Sequence, residues 1–125
     1  MDEHVDKLAG ERPGKVTIDP GVLVTIARLT ALSIPGVCRM AQRTPPRLLA
    51  TGSTGEGTRI VVIDHAVTVD LYVIVHSGVN MLETGRAVQA EVTRAILDMV
   101  GMEVREVNVH IDDVEFPAVA PALQE

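Results

Sequence analysis

Asp70 and His76 in one short stretch, and Asn108 and His110 in another, are the residue types from which an acid–base pair or a metal site is made. An imidazole beside a carboxylate can relay a proton or hold a divalent cation. The spacing is specific for neither. Side chains two apart on a strand stand about 7 Å from each other, and the polar face of any half-exposed sheet carries the same pattern. His110 with Asp112 and Asp113 has the composition of a cation site at a strand end, again without a ligand spacing that requires one. Cys38 has Arg39 and Arg43 near it in sequence, and positive charge favours a thiolate. No residue can be named as its partner, and a plain small-residue role is the simpler reading. Ser33, Ser53 and Ser77 lie in no nucleophile-elbow context. No motif carries a specific chemistry, so the expectation is a protein that is not an enzyme, with no cofactor and no metal.

A second group of residues is defined by charge. Arg39, Arg43, Arg47 and Arg59 stand against a single acid, Glu56, in a chain whose net charge is −6. This is its one basic segment, and a contact with an acidic metabolite, a phospholipid headgroup or an acidic partner is the functional reading of it. A solvated loop is the bland reading. Gly52-Ser-Thr-Gly55 matches the Gly-x-x-Gly of an RNA-clamping loop and loosely suggests a phosphate loop, but neither context holds. The first joins two helices and works with positive charge. The second needs a lysine before its final Ser or Thr, whereas Gly57 is followed directly by Thr58.

Composition narrows the classes further. The 125 residues fit one ordinary domain with one core. Tyr72 and Phe116 are the only aromatic residues, so the core is built from aliphatic side chains and stacking platforms for bases are scarce. With the acidic balance this argues against nucleic-acid binding. A single cysteine allows no internal disulfide and suits a reducing compartment. The charged start has no apolar core of a signal peptide, and no apolar run approaches the length of a membrane span.

The elements that must position these residues follow from periodicity. Residues 15–18 alternate polar and apolar as a short edge or nucleating strand does. Asp19 and Pro20 then open a helix, a capping carboxylate before a proline in the first turn, and Pro35-Gly36 closes it near Ile34. That helix is apolar on nearly every side, with Arg28 its only charge. Either the following segment or another subunit must cover it; Val22, Val24, Leu29 and Leu32 are the candidate self-association residues. Residues 59–63 and 67–75 read as an antiparallel hairpin joined through Asp64, His65 and Ala66. The second of these is the central strand. Its odd-numbered residues Val67, Val69, Leu71, Val73 and Val75 face the core, and Thr68, Asp70, Tyr72, Ile74 and His76 face outward. Asn80 caps a second helix, with Glu83 in capping-box spacing and Gly101 as its stop. Met81, Gly85, Val88, Val92, Ile96 and Met99 form the expected buried stripe, and Gly85 a close approach to the sheet or the first helix. Residues 103–111 form the last strand, with Asn108 and His110 outward beside the even-numbered residues of the central one.

The order is therefore β-α-β-β-α-β. This predicts an α+β two-layer sandwich, two helices on one face of a mostly antiparallel three- to four-stranded sheet. The domain is expected at 14–114, with a mobile loop at 39–58, a flexible N-terminal arm at 1–13 and a flexible C-terminal tail at 115–125.

Taken in order, several pieces resemble the alkaline shock protein family, the envelope stress response family of small bacterial proteins. They are the opening Gly14-Lys-Val-Thr-Ile18, the helix close Ile34-Pro-Gly-Val37 and the strand Val67-Thr-Val-Asp-Leu71. The turn Gly78-Val-Asn80, Val88-Gln89 and the ending Val104-Arg-Glu-Val-Asn-Val109 complete the set. Gly21 departs from the acidic residue common after the proline, Val100 from a threonine, and the loop at 39–58 has no counterpart. The resemblance implies a cytoplasmic, non-catalytic protein that supports cell-envelope homeostasis or stress tolerance. It also implies a homo-oligomer, and membrane association only through a membrane-anchored protein partner.

Overall fold

The computed structural model describes residues 13–42 and 53–118. Its elements are α1 (Pro20–Leu32), β1 (Val37–Met40), β2 (Ser53–Gly55), β3 (Thr58–Ile63), β4 (Ala66–His76), α2 (Met81–Val100) and β5 (Glu103–Glu115). The local signals act where they stand in the sequence. Asp19 accepts a hydrogen bond from the Gly21 amide at 2.9 Å with Pro20 as the first helical residue, so α1 starts on a capped, pre-formed turn. The Asn80 side chain accepts from the Glu83 amide at 2.9 Å, and Gly101 ends α2 in the left-handed region, φ 79°. Asp64 and His65, at φ 52° and 65°, form the two-residue turn of the β3–β4 hairpin. Their doubly positive φ matches the right-handed twist of the strands on either side.

β4 is central. β3 pairs antiparallel with its first half and β1 antiparallel with its second, while β5 runs parallel to it from Ala66 to His76. Since β5 occupies one edge of β4 along that whole length, β1 and β3 share the other, end to end. They behave as one strand interrupted by an excursion. The chain leaves the ladder at Ala41, whose amide donates to the Tyr72 carbonyl at 2.8 Å, and rejoins at Gly57, whose carbonyl accepts from the Tyr72 amide at 2.8 Å. Gly57 has φ 59°, and a Cβ there would lie 2.8 Å from the carbonyl oxygens of both Ala41 and Tyr72, so the junction admits only glycine. β2 pairs with β3 on its far side.

The architecture is the expected α+β one, two helices and a mostly antiparallel sheet, here of five strands. The odd-numbered residues 67–75 are all buried, and they share one core with Leu23, Val24, Ile26, Ala27 and Ala31 of α1 and Val88, Val92 and Ile96 of α2. Three readings of the sequence need correction. Residues 15–18 form no strand; they are exposed and outside every ladder, while the strand flanking α1 is β1, after the helix. The buried stripe of α2 runs through Thr84, Val88, Val92 and Ile96, whereas Met81 and Met99 are exposed. Gly85 marks no close approach, since nothing lies within 4 Å of where its Cβ would be. The segments 1–12 and 119–125, with most of the arm and tail, and residues 43–52 of the expected mobile loop lie outside the described residues.

Candidate functional site

On the face of the sheet away from the helices, neighbouring strands place Arg59, Asp70 and Asn108 side by side, since Arg59 is in register with Asp70 and Asp70 with Asn108. Asp70 is the hub of the polar side chains there. Its Oδ2 lies 3.5 Å from Arg59 Nη1, and its Oδ1 accepts from Asn108 Nδ2 at 3.0 Å and stands 3.9 Å from His110 Nε2. Asn108 also donates to Glu106 at 3.1 Å. The Arg59 and Asp70 side chains are only 15% and 16% exposed, low for the outer layer of a sheet. Tyr72 stacks on the His110 ring, centroids 4.5 Å apart. Four of the outward candidates, Asp70, Tyr72, Asn108 and His110, thus come together.

His76 does not join them. It lies six positions beyond Asp70 on the same strand, roughly 20 Å at the rise of a strand, too far to share a reacting atom. Ile74, between Arg39 and Asp113 in register, is on the outer face yet buried. Near His76 a second polar group closes the sheet end. β1 carries a bulge between Val37 and Arg39, which turns both Cys38 and Arg39 outward. Cys38 Sγ donates to Glu115 Oε1 at 2.8 Å, and Arg39 Nε reaches the same oxygen at 3.3 Å. The hydrogen bond from Cys38, then the Arg39 charge, holds Glu115 below the usual carboxylate range. The thiol moves the other way. Its hydrogen bond to Glu115, with desolvation and the carboxylate's charge, raises its pKa despite Arg39. The acid across the sheet outweighs the arginine beside the cysteine, so the neighbouring positive charge does not make Cys38 a thiolate, and it is a poor nucleophile at neutral pH.

Of the four basic candidates, Arg39 and Arg59 face Glu115 and Asp70, and Arg43 and Arg47 lie outside the described residues. Among the described residues no group of three or more His, Cys, Asp or Glu is placed to hold a metal ion. The α1 candidates divide. Val24 is spent on the chain's own core and Leu32 packs against it, while Val22 and Leu29 stay 44% and 52% exposed. Sequence reasoning missed a groove of about 480 Å³ between the first half of α2 and β5, lined by Met81, Leu82, Gly85, Arg86, Gln89, Val109 and Ile111. The signal was available in Met81-Leu82, two large apolar residues at a helix start that cannot both face the same core.

These elements and the sequence place the chain in a known class. The alkaline shock protein family, described as having a cell envelope-related function, matches residues 9–116, and the chain belongs to it. Among its relatives, it is similar to the uncharacterized protein YqhY of Bacillus subtilis, 29% identical over 119 residues that cover 89% of this chain and 84% of that one. It is also similar to the uncharacterized protein Spy1535 of Streptococcus pyogenes serotype M6, 26% identical, covering 81% and 79%. Among solved structures, the MamM-CTD H285A chain superposes with a TM-score of 0.47 at 13% identity, covering 78% of this chain and all of that one. No helix among the described residues is long and apolar enough to cross a membrane.

Proposed function

We propose that the protein is a non-catalytic interaction module of the cell envelope, cytoplasmic, self-associating, and held at the envelope through a protein partner. The observation that carries this reading is the side of α1 that the described residues leave uncovered. Val22 and Leu29 lie seven residues apart, on one face of the helix, with Thr25 between them and Arg28 the only charge in the helix. A helix without a polar side is suited to burial against another chain. The polar groups of the outer sheet face support the same reading from the other direction. Asp70 is satisfied by Asn108 and Arg59, and the Cys38 thiol is held protonated, so neither is set up as a base or nucleophile. The family's cell envelope-related description supports the location.

The alternative, a module binding an acidic metabolite or a phospholipid headgroup, gains nothing from the two described arginines, which already face carboxylates. The self-association is tested by light scattering coupled to size exclusion at about 50 µM. The wild-type chain is expected as an oligomer and Leu29→Glu as a smaller species with an unchanged circular dichroism spectrum. A wild-type monomer, or an oligomer indifferent to Leu29→Glu, refutes this reading of α1.

A further inference from the structure

We propose that residues 15–18 of one copy add as a short strand to the open edge of β5 in a second copy, in the groove beside α2. The proposal rests on the self-association in the reading above and names a second contact, which the assembly needs as well as the exposed face of α1. Two unpaired halves motivate it. The first is the segment 15–18, Lys-Val-Thr-Ile, which alternates as a strand does and is rich in β-branched residues. It makes no ladder, and Val16 is 91% exposed, an unusual setting for a valine.

The second half is β5, which pairs only with β4 among the described residues. Successive residues of a strand direct their backbone groups to opposite edges. The carbonyl of Val107 accepts from Gln89 Nε2 at 3.0 Å, so Val107, and with it Val109 and Ile111, directs its backbone groups away from β4. Gln89 caps the edge at Val107. Past that cap the edge lies open in the groove, bounded on one side by Met81 and Leu82, until the irregularity between Val73 and Ile74 in the β4 register places an extra residue in β5 at Asp112. The open length thus suits a strand as short as 15–18.

Parity and charge agree with this pairing. An added strand with Val16 and Ile18 turned to the helix layer continues the row of Val109 and Ile111, both half-buried. Lys15 and Thr17 then join the outer face, where β5 presents Glu106, Asn108 and His110. Lysine meets the acidic side of β5, which carries Glu103, Glu106, Asp112, Asp113 and Glu115 against Arg105.

The same chain cannot supply this strand. Ile18 abuts Asp19, which is fixed as the helix cap. The first turns of α1 lie against β2, where Val24 meets Gly55, whereas Gly36, beyond the other end of α1, lies beside Thr84 in the first turn of α2. The start of α1 is thus about one helix length, roughly 20 Å, from the groove, with α2 between. Strand addition is therefore between copies. Exchanged reciprocally it closes as a dimer, and exchanged in one direction it propagates.

The test uses the full chain. Val16→Asp/Ile18→Asp removes the strand at exposed positions and Leu82→Glu blocks the groove at an exposed one, so each variant keeps its far-ultraviolet spectrum. Each is expected to weaken self-association by roughly thirtyfold or more, as loss of a central apolar anchor does. Mixed together, they are expected to restore a one-to-one heterodimer, because one intact strand and one intact groove remain. An arm or groove variant with the wild-type mass, or a mixture that stays monomeric, overturns the proposal. If the arm variant stays oligomeric while Leu29→Glu does not, strand addition fails and the self-association reading stands. A monomeric wild type sinks both.

Discussion

Along one edge of β4 two strands, β1 and β3, stand end to end and β2 lines part of them, while along the other edge β5 runs alone for its whole length. The first edge is interrupted in sequence yet continuous in hydrogen bonding, because Tyr72 takes one partner from each side of the break. The second is continuous in sequence yet irregular, with extra residues at Arg105 and Asp112, and only Gln89 among the described side chains caps its outer carbonyls. Bulges and charges along an exposed strand limit indiscriminate pairing. The difference teaches that the first edge is finished by the chain itself, whereas the second, among the described residues, is guarded at its ends and left open in its middle.

The contrast can be broken at the first edge. Gly57→Ala places a methyl group 2.8 Å from two backbone oxygens at a positive φ, and a loss of roughly 2–4 kcal/mol is expected. Chemical denaturation would read it. A variant as stable as wild type would mean that β1 and β3 are not joined through this junction. A smaller effect is expected at the bond that ties both edges to β4. Asp70→Ala removes the partner of a mostly buried Arg59 and of Asn108. Roughly 2–3 kcal/mol is expected, below the 3–5 of a fully buried pair, and Asp70→Asn should cost less.

The smallest effect on stability, with the sharpest readout, is at the end of the sheet. Glu115 of β5 meets Cys38 and Arg39 of β1 across β4. Its pKa lies below the ordinary 4.5, so the contact favours the fold above that value and is lost as pH falls through the depressed one. Glu115→Gln removes the carboxylate, the main cause that raises the thiol pKa, and leaves the lesser one, desolvation. Cys38 should then react faster with a disulfide reagent at pH 8, by less than about tenfold, the effect of a whole pKa unit. An unchanged rate would show that Glu115 does not govern the thiol.

Much of this was legible from residue types. The caps at Asp19 and Asn80, the stop at Gly101 and the strict alternation in β4 are local signals, and tertiary packing did not override them. What was not legible depends on contacts distant in sequence. β1 is short, and its bulge spoils any alternation, so Val-Cys-Arg-Met gives no period. Residues 15–18 carry the pattern of a strand but find no partner in their own sheet. The stripe of α2 shifted because Thr84, not Met81, lies beside Gly36, a neighbour fixed by how α1 ends. At the site, alternation put Asp70, Asn108 and His110 on one face, but only the parallel register of β5 brought them into contact. The opposition of Glu115 to Cys38 spans almost the whole domain, and no local pattern encodes it.

The junction at Tyr72 has a further consequence. Because Ala41 and Gly57 are held beside each other by the same residue, the excursion between them begins and ends at nearly one point. The entropic cost of closing such a loop grows only with the logarithm of its length. Evolution, or an engineer, can therefore change the length of that span ahead of β2 while leaving the pairing of β1 and β3 with β4 intact. The junction makes this a natural place to splice in a reporter or a foreign epitope.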